Sequence, residues 1–143
     1  MSLAKRRVYT FLIAVLIVAL FYFLRGGYGI ALELQENESI TVGGPEGVSY
    51  SVRYEDIKSV SLLHDYDPGE CIDGSTKHGY SYGIWKNGIY GEYTFIAKSK
   101  AAAYIALEDA GGNVLVFDYE GDETTEQLYE LILGLLEQKG FSV

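Results

Sequence analysis

Residues 124–140, TTEQLYELILGLLEQKG, decide how the rest of the chain is read. Leu128, Leu131, Ile132, Leu135 and Leu136 recur at i, i+3, i+4, i+7 and i+8, which places five apolar side chains on one face of an α-helix. Thr124 reads as its N-cap, with Gln127 as capping-box partner. Glu123, Glu126 and Glu130 favour the positive end of the helix dipole, and Lys139 the other end. Gly140 suits the left-handed stop, with Phe141 folding back on Leu136. Gly134, costly inside a helix, is expected to mark close approach to a sheet. An amphipathic helix of this kind needs an apolar surface to cover.

The preceding residues read as the strands that provide it. Asn113–Asp118 and Ala103–Glu108 form a hairpin across Asp109-Ala110-Gly111-Gly112. Upstream lie Glu92–Ala97 and Tyr80–Trp85, joined through Lys86-Asn87-Gly88, an Asn-Gly hairpin signal. A Gly-rich loop, His64–Gly79, separates these from Ile57–Leu63, whose Ile57, Val60 and Leu62 form the expected buried set. Val48–Arg53 and Ile30–Gln35 complete seven strands. Glu36-Asn37-Glu38 reads as a turn, and Ser39–Val42 as a short extension ended by Gly43-Gly44-Pro45-Glu46-Gly47. The expected fold is α+β: an antiparallel seven-strand barrel or curved sheet capped by the C-terminal helix.

The other end of the chain is of a different kind. Val8–Leu24 holds 17 residues without a charge. As a helix this run reaches about 25 Å, just short of a hydrocarbon core, and Arg7 and Arg25 can snorkel to cover the deficit. Tyr9 and Tyr22 sit where interfacial aromatics belong. The bulky exit Phe21-Tyr22-Phe23-Leu24-Arg25 is a poor cleavage site, which favours an uncleaved anchor over a signal peptide. Lys5, Arg6 and Arg7 precede the run and only Arg25 follows it closely. The positive-inside rule then places residues 1–7 in the cytoplasm, 8–24 in the plasma membrane as a single pass, 25–29 as a linker and 30–143 outside.

Composition narrows the partners. Four of the eleven basic residues and none of the twenty acidic ones lie in residues 1–25, so the remainder carries seven basic against twenty acidic side chains, a net charge of −13. That balance disfavours nucleic acid, whose phosphates require clustered Lys and Arg. Cys71 is the single cysteine, so no intrachain disulfide forms.

Tyr54-Glu55-Asp56-Ile57-Lys58-Ser59-Val60, Gly74, Gly83, Tyr90-Gly91-Glu92-Tyr93, Tyr104-Ile105-Ala106-Leu107 and Thr125-Glu126-Gln127-Leu128-Tyr129 follow one another in an order and spacing that resembles a family of bacterial PH-like domains. The resemblance covers roughly residues 48–136. It implies an extracytoplasmic fold of seven strands and a C-terminal helix joined to a transmembrane segment. That family pattern favours a basic residue shortly before Gly74, where this chain has Cys71. Phosphoinositide binding is not implied, because Leu32–Tyr50 contains no basic residue and its loop carries Glu36, Glu38 and Glu46.

Reactive side chains concentrate in His64–His78: His64, Asp65, Asp67, Glu70, Cys71, Asp73 and His78. A metal site would gather such carboxylates and imidazoles, but the spacing fits no dedicated site. Cys71 with His64 or His78, and Arg53 as oxyanion stabiliser, would make a thiol nucleophile; the surrounding carboxylates oppose a low thiol pKa. Asp118–Glu123 looks like a calcium loop but lacks the Gly and Glu that an EF-hand needs at positions six and twelve. No catalytic, cofactor-binding or metal residue is therefore assigned. Tyr80, Tyr82, Trp85, Tyr90 and Tyr93, with Phe95, cluster around the Lys86–Gly88 turn and form the candidate interaction surface. The expected function is a non-catalytic, membrane-tethered protein-interaction or scaffold module, with an external metal- or small-ligand-binding sensor on the 64–78 loop as the alternative.

Overall fold

The computed structural model describes residues 3–24, 30–34 and 39–140, with the side chains of 14–24 outside that description. The linker at 25–29, the turn at 36–38 and Phe141 also lie outside the described residues. The architecture is α+β. Helix α1 (Leu3–Leu24) precedes strands β1 (Ala31–Leu34), β2 (Ser39–Gly43) and β3 (Ser49–Arg53). There follow β4 (Ile57–His64), β5 (Glu70–Lys77), β6 (Tyr80–Asn87), β7 (Gly91–Lys98), β8 (Ala103–Asp109), β9 (Val114–Phe117) and helix α2 (Asp122–Gln138).

Among the described residues the strands form two sheets and no closed barrel. β1-β2-β3 is a small antiparallel meander, and the larger sheet has the order β4-β8-β9-β7-β6-β5. Within it β7 and β9 run parallel, and the other pairs are antiparallel. The expectation of seven antiparallel strands is corrected in three places. Ser39–Gly43 is a full strand, because Ile40 and Val42 alternate into the core. Half of the expected 64–79 loop is β5, whose residues are nearly all exposed; pairing with β6 holds it, which a hydrophobic pattern cannot reveal. The β7–β9 parallel pair is a non-local contact with no signature in the chain.

The larger sheet is strongly coiled. β4 and β5 are its two outer strands, and flat they would lie about 24 Å apart at about 4.8 Å per strand. His64 pairs with Ala103 at one end of the sheet, whereas Glu70 pairs with Lys86 at the other. The link between them has six Cα steps and reaches no more than about 21 Å, well short of that flat diagonal. The sheet must curl to let residues 65–69 cross it.

One face of this sheet, the small sheet and α2 enclose the main core. Leu32, Ile40, Val42 and Tyr54 meet Ile96, Ile105, Leu115 and Phe117, and Leu128, Ile132 and Leu136 cover them from α2. The five-leucine/isoleucine face of α2 is buried as its spacing requires. Its start differs from expectation: the helix begins at Asp122 with Gly121 as N-cap. Thr125 rather than Thr124 anchors it, its Oγ1 accepting from Tyr119 N–H at 3.0 Å and donating to Gly121 O at 2.7 Å. Gly134 does not mark close approach, since a Cβ there would meet nothing within 4 Å. At the other end Gly140 is left-handed, as read.

Val8, Phe11 and Leu12 of α1 pack against the main core. Among the described residues no helix is long and apolar enough to cross a membrane.

Candidate functional site: an aromatic hollow under a strap

The opposite, hollow face of the larger sheet carries a second cluster. Alternation sends Trp85 from β6, Tyr93, Phe95 and Ala97 from β7, Tyr104 and Ala106 from β8, and Val114 and Val116 from β9 to this side. Among the described residues this cluster holds no side chain from either helix or from the small sheet. Residues 65–69 form a strap over it, and Tyr66 is its plug. The Tyr66 ring stands 5.6 Å from Tyr104, 6.2 Å from Tyr90 and Tyr93 and 6.4 Å from Phe95, centroid to centroid. These tilted and edge-on arrangements set ring edges against neighbouring faces, as the aromatic quadrupole prefers.

Hydrogen bonds fix the strap to the β6–β7 turn. Asn87 Nδ2 donates to Tyr66 Oη at 2.6 Å and to Asp67 O at 3.1 Å. Tyr93 Oη donates to Pro68 O at 2.7 Å. Gly69 has a φ of +83°, and a Cβ there would lie 2.0 Å from Lys86 O, so only glycine lets the strap descend onto β6. Gly74 and Gly83 face each other across β5 and β6, and a Cβ on Gly74 would come within 2.1 Å of Tyr82 O. Burial pushes the Tyr93 phenol well above its ordinary range, and the neighbouring Tyr66 hydroxyl adds to this. Tyr66 is also raised, mainly by burial. Both phenols therefore remain neutral at physiological pH.

The five residues of the expected interaction surface do not share one face. Half-buried Tyr80 packs against the main core, and Tyr82, two residues on along β6 and buried, lies on the same face by alternation. Trp85 and Tyr93 are buried in the hollow, and Tyr90 is half-buried at its rim. The turn is not a two-residue Asn-Gly loop: Asn87 pairs with Gly91, leaving Gly88-Ile89-Tyr90 as the connection. Asn87 Oδ1 accepts from the Ile89 and Tyr90 N–H groups and closes it. The turn thereby presents Ile89, which is 71% exposed. Ile72, at the irregular step in β5, is 48% exposed at the same end of the sheet. Reading the sequence alone passes over Tyr66, Tyr104, Ile72 and Ile89. The one signal available is Tyr66 itself, a large aromatic set among Asp, Pro and Gly in a turn-rich segment.

The reactive residues of 64–78 are not brought together. Cys71 is exposed on β5, His78 lies beyond the far end of that strand, and His64 closes β4 with its Nε2 4.0 Å from Glu126. Arg53 pairs with Glu55 at 3.1 Å. Asp67 Oδ1 caps Gly69 N–H. Among the described residues no group of three His, Cys, Asp or Glu side chains is placed to hold a metal ion. In the Asp118–Glu123 segment, Asp118 Oδ1 accepts from Lys98 N–H at 2.7 Å and Asp122 Oδ1 from Ala102 and Ala103 N–H, so backbone amides engage these carboxylates.

No family model, curated protein or solved structure matches this chain.

One buried ionisable group stands apart from the hollow. Asp118 is 1% exposed, and its Oδ2 has no hydrogen-bond partner among the described residues. Burial, with the nearby Asp122 carboxylate, pushes it up to about 6 against the pull of the Lys98 amide. A cavity of about 170 Å³ lies beside it, lined by Ile30, Tyr80, Lys98, Glu120 and Gly121.

Proposed function

We propose that the chain is a membrane-tethered extracytoplasmic module with a PH-like fold and a non-catalytic protein-interaction or scaffold role. One observation carries the interaction reading. Outside α1, the exposed large apolar side chains among the described residues are Ile72 and Ile89. Both stand at the strap end of the larger sheet, Ile89 in the β6–β7 turn before Tyr90 and Ile72 at the irregular step of β5. Apolar groups gathered at one rigid end, on an otherwise acidic domain, suit a protein partner better than solvent.

The tether rests on Val8–Leu24 and on the Lys5-Arg6-Arg7 asymmetry, which together give a single pass through the plasma membrane with the N-terminus in the cytoplasm. The PH-like assignment rests on the order of the motifs and on a C-terminal helix laid over antiparallel strands. The partner is a protein, since a net charge of −13 beyond residue 25 disfavours nucleic acid and phosphoinositides.

A photo-crosslinking side chain at position 89 or 72, in intact membranes, should give discrete adducts. The same group at Glu130, on the exposed face of α2, should give none. Equal silence at all three positions would remove the reading. External protease should digest residues 30–143 in intact cells and spare the N-terminus. The sensor alternative is tested by calorimetry of the full chain with Ca²⁺ and Zn²⁺, where heat of binding would revive it.

A further inference from the structure

Asp118 is buried, acidic and only half engaged. Oδ1 accepts from Lys98 N–H at 2.7 Å, while Oδ2, equally out of solvent, has no hydrogen-bond partner among the described residues. A buried acceptor in this state is costly. Asn would serve the Lys98 amide as well, so the fold itself gives no reason for the charge. The carboxyl titrates at about 6 and is ionised at neutral pH. The nearby Asp122 carboxylate, held by the Ala102 and Ala103 amides, deepens the negative potential around it.

The cavity against this side chain, about 170 Å³, has walls of both signs. Asp118 and Glu120 bring carboxyls, Lys98 an ammonium group and Ile30 an apolar side chain. The charge of Lys98 is felt by both carboxyls, yet among the described residues neither carboxyl forms an ion pair. Asp118 and Ile30 are buried whereas Lys98 and Glu120 are exposed, so the first two make the floor and the others the mouth. The volume is that of roughly six waters, which restricts an occupant to about that number of heavy atoms.

We propose that this cavity binds a small zwitterionic amino acid, its ammonium group inward on the Asp118 carboxylate and its carboxylate outward on Lys98. The ammonium group supplies the donor that Oδ2 lacks, and Glu120 offers it a second acceptor. A simple anion would meet the Asp118 charge, and a simple cation would meet Lys98 on the way in. A ligand carrying both charges suits floor and mouth together. Because Asp118 is 1% exposed, entry requires the Lys98 and Glu120 side chains to turn aside, a rotamer change that exposed side chains make within nanoseconds. The site is separate from the strap-end surface and does not depend on the tether.

Calorimetry of the full chain in detergent micelles, at pH 7.5 in an amine-free buffer, tests this with glycine, alanine, ethylammonium and acetate as probes. Glycine or alanine should bind, and ethylammonium and acetate should each bind at least tenfold more weakly. Asp118→Asn keeps the bond to the Lys98 amide, and urea melts followed by Trp85 fluorescence verify that it folds. It should weaken the amino acid roughly tenfold or more, the worth of one charge-assisted hydrogen bond. Lys98→Met should remove the preference for the amino acid over ethylammonium. Absence of binding by both glycine and alanine, the result expected of an Oδ2 that meets only water, overturns the proposal. Undiminished binding to folded Asp118→Asn overturns it as well, and so does ethylammonium binding the unaltered chain as tightly as glycine.

Discussion

Replacing Asp118 by Asn should stabilise the domain at neutral pH and lose that advantage in acid. The carboxyl is 1% exposed and holds one amide hydrogen bond, from Lys98 at 2.7 Å. Asn keeps an oxygen for that bond and removes the charge that burial penalises. The folded carboxyl titrates near 6 against 3.8 in the open chain. The folded state therefore binds the proton more tightly, and stability falls as pH rises between these values. Its stabilising contribution is complete below 3.8 and lost as pH passes through about 6. A gap of this size corresponds to about 3 kcal/mol above that pH, on the scale of 1.36 kcal/mol per pKa unit, or roughly 10 °C in melting temperature for a domain of this length. Trp85, the single tryptophan and buried in the hollow, reports unfolding by fluorescence. Urea melts of both chains at pH 4, 5, 6 and 7.5 should show the Asn variant ahead by up to about 3 kcal/mol at the top of the range and level at the bottom. Equal stabilities at pH 7.5, or a gap that does not narrow on acidification, would refute the reasoning.

Other substitutions separate the parts of the fold. Leu131→Asp places an unpaired charge in the α2 interface and should abolish the cooperative melt; a retained transition would make α2 peripheral. Gly134→Ala should add about 1 kcal/mol, because helix propensity rises and the new methyl meets nothing within 4 Å; destabilisation in thermal melts would mean that the position is crowded. Gly69→Ala should cost well over 1 kcal/mol and increase acrylamide quenching of Trp85, since the strap can no longer reach β6; unchanged quenching would show that the strap does not seal the hollow. Tyr93→Phe should cost about 1 kcal/mol through the bond to Pro68 O, measured by the same urea melts.

Much of the fold is legible in the chain, and the failures have identifiable causes. The α2 stripe and the β8–β9 hairpin are local patterns, one a fixed period and the other a turn between two apolar runs, so they are read correctly. β5 is missed because edge pairing, not burial, holds it. Thr125 takes the anchoring role given to Thr124 because the chain enters α2 through Gly121, a geometry set by where β9 ends. The aromatic residues are recognised as a cluster, but the alternation of β6 sends Tyr80 and Trp85 to opposite faces of the sheet.

The sequence by itself determines the local patterns: an uncharged run, Val8–Leu24, behind three basic residues, short apolar strands between turn residues and a final amphipathic helix. Each of these depends on neighbours a few residues away. Tertiary structure alone decides that β4 and β5 become opposite outer strands, that the sheet coils, and that a five-residue strap carries Tyr66 into the hollow. Those features depend on contacts between residues far apart in the chain, where no local period records which strand will be a neighbour.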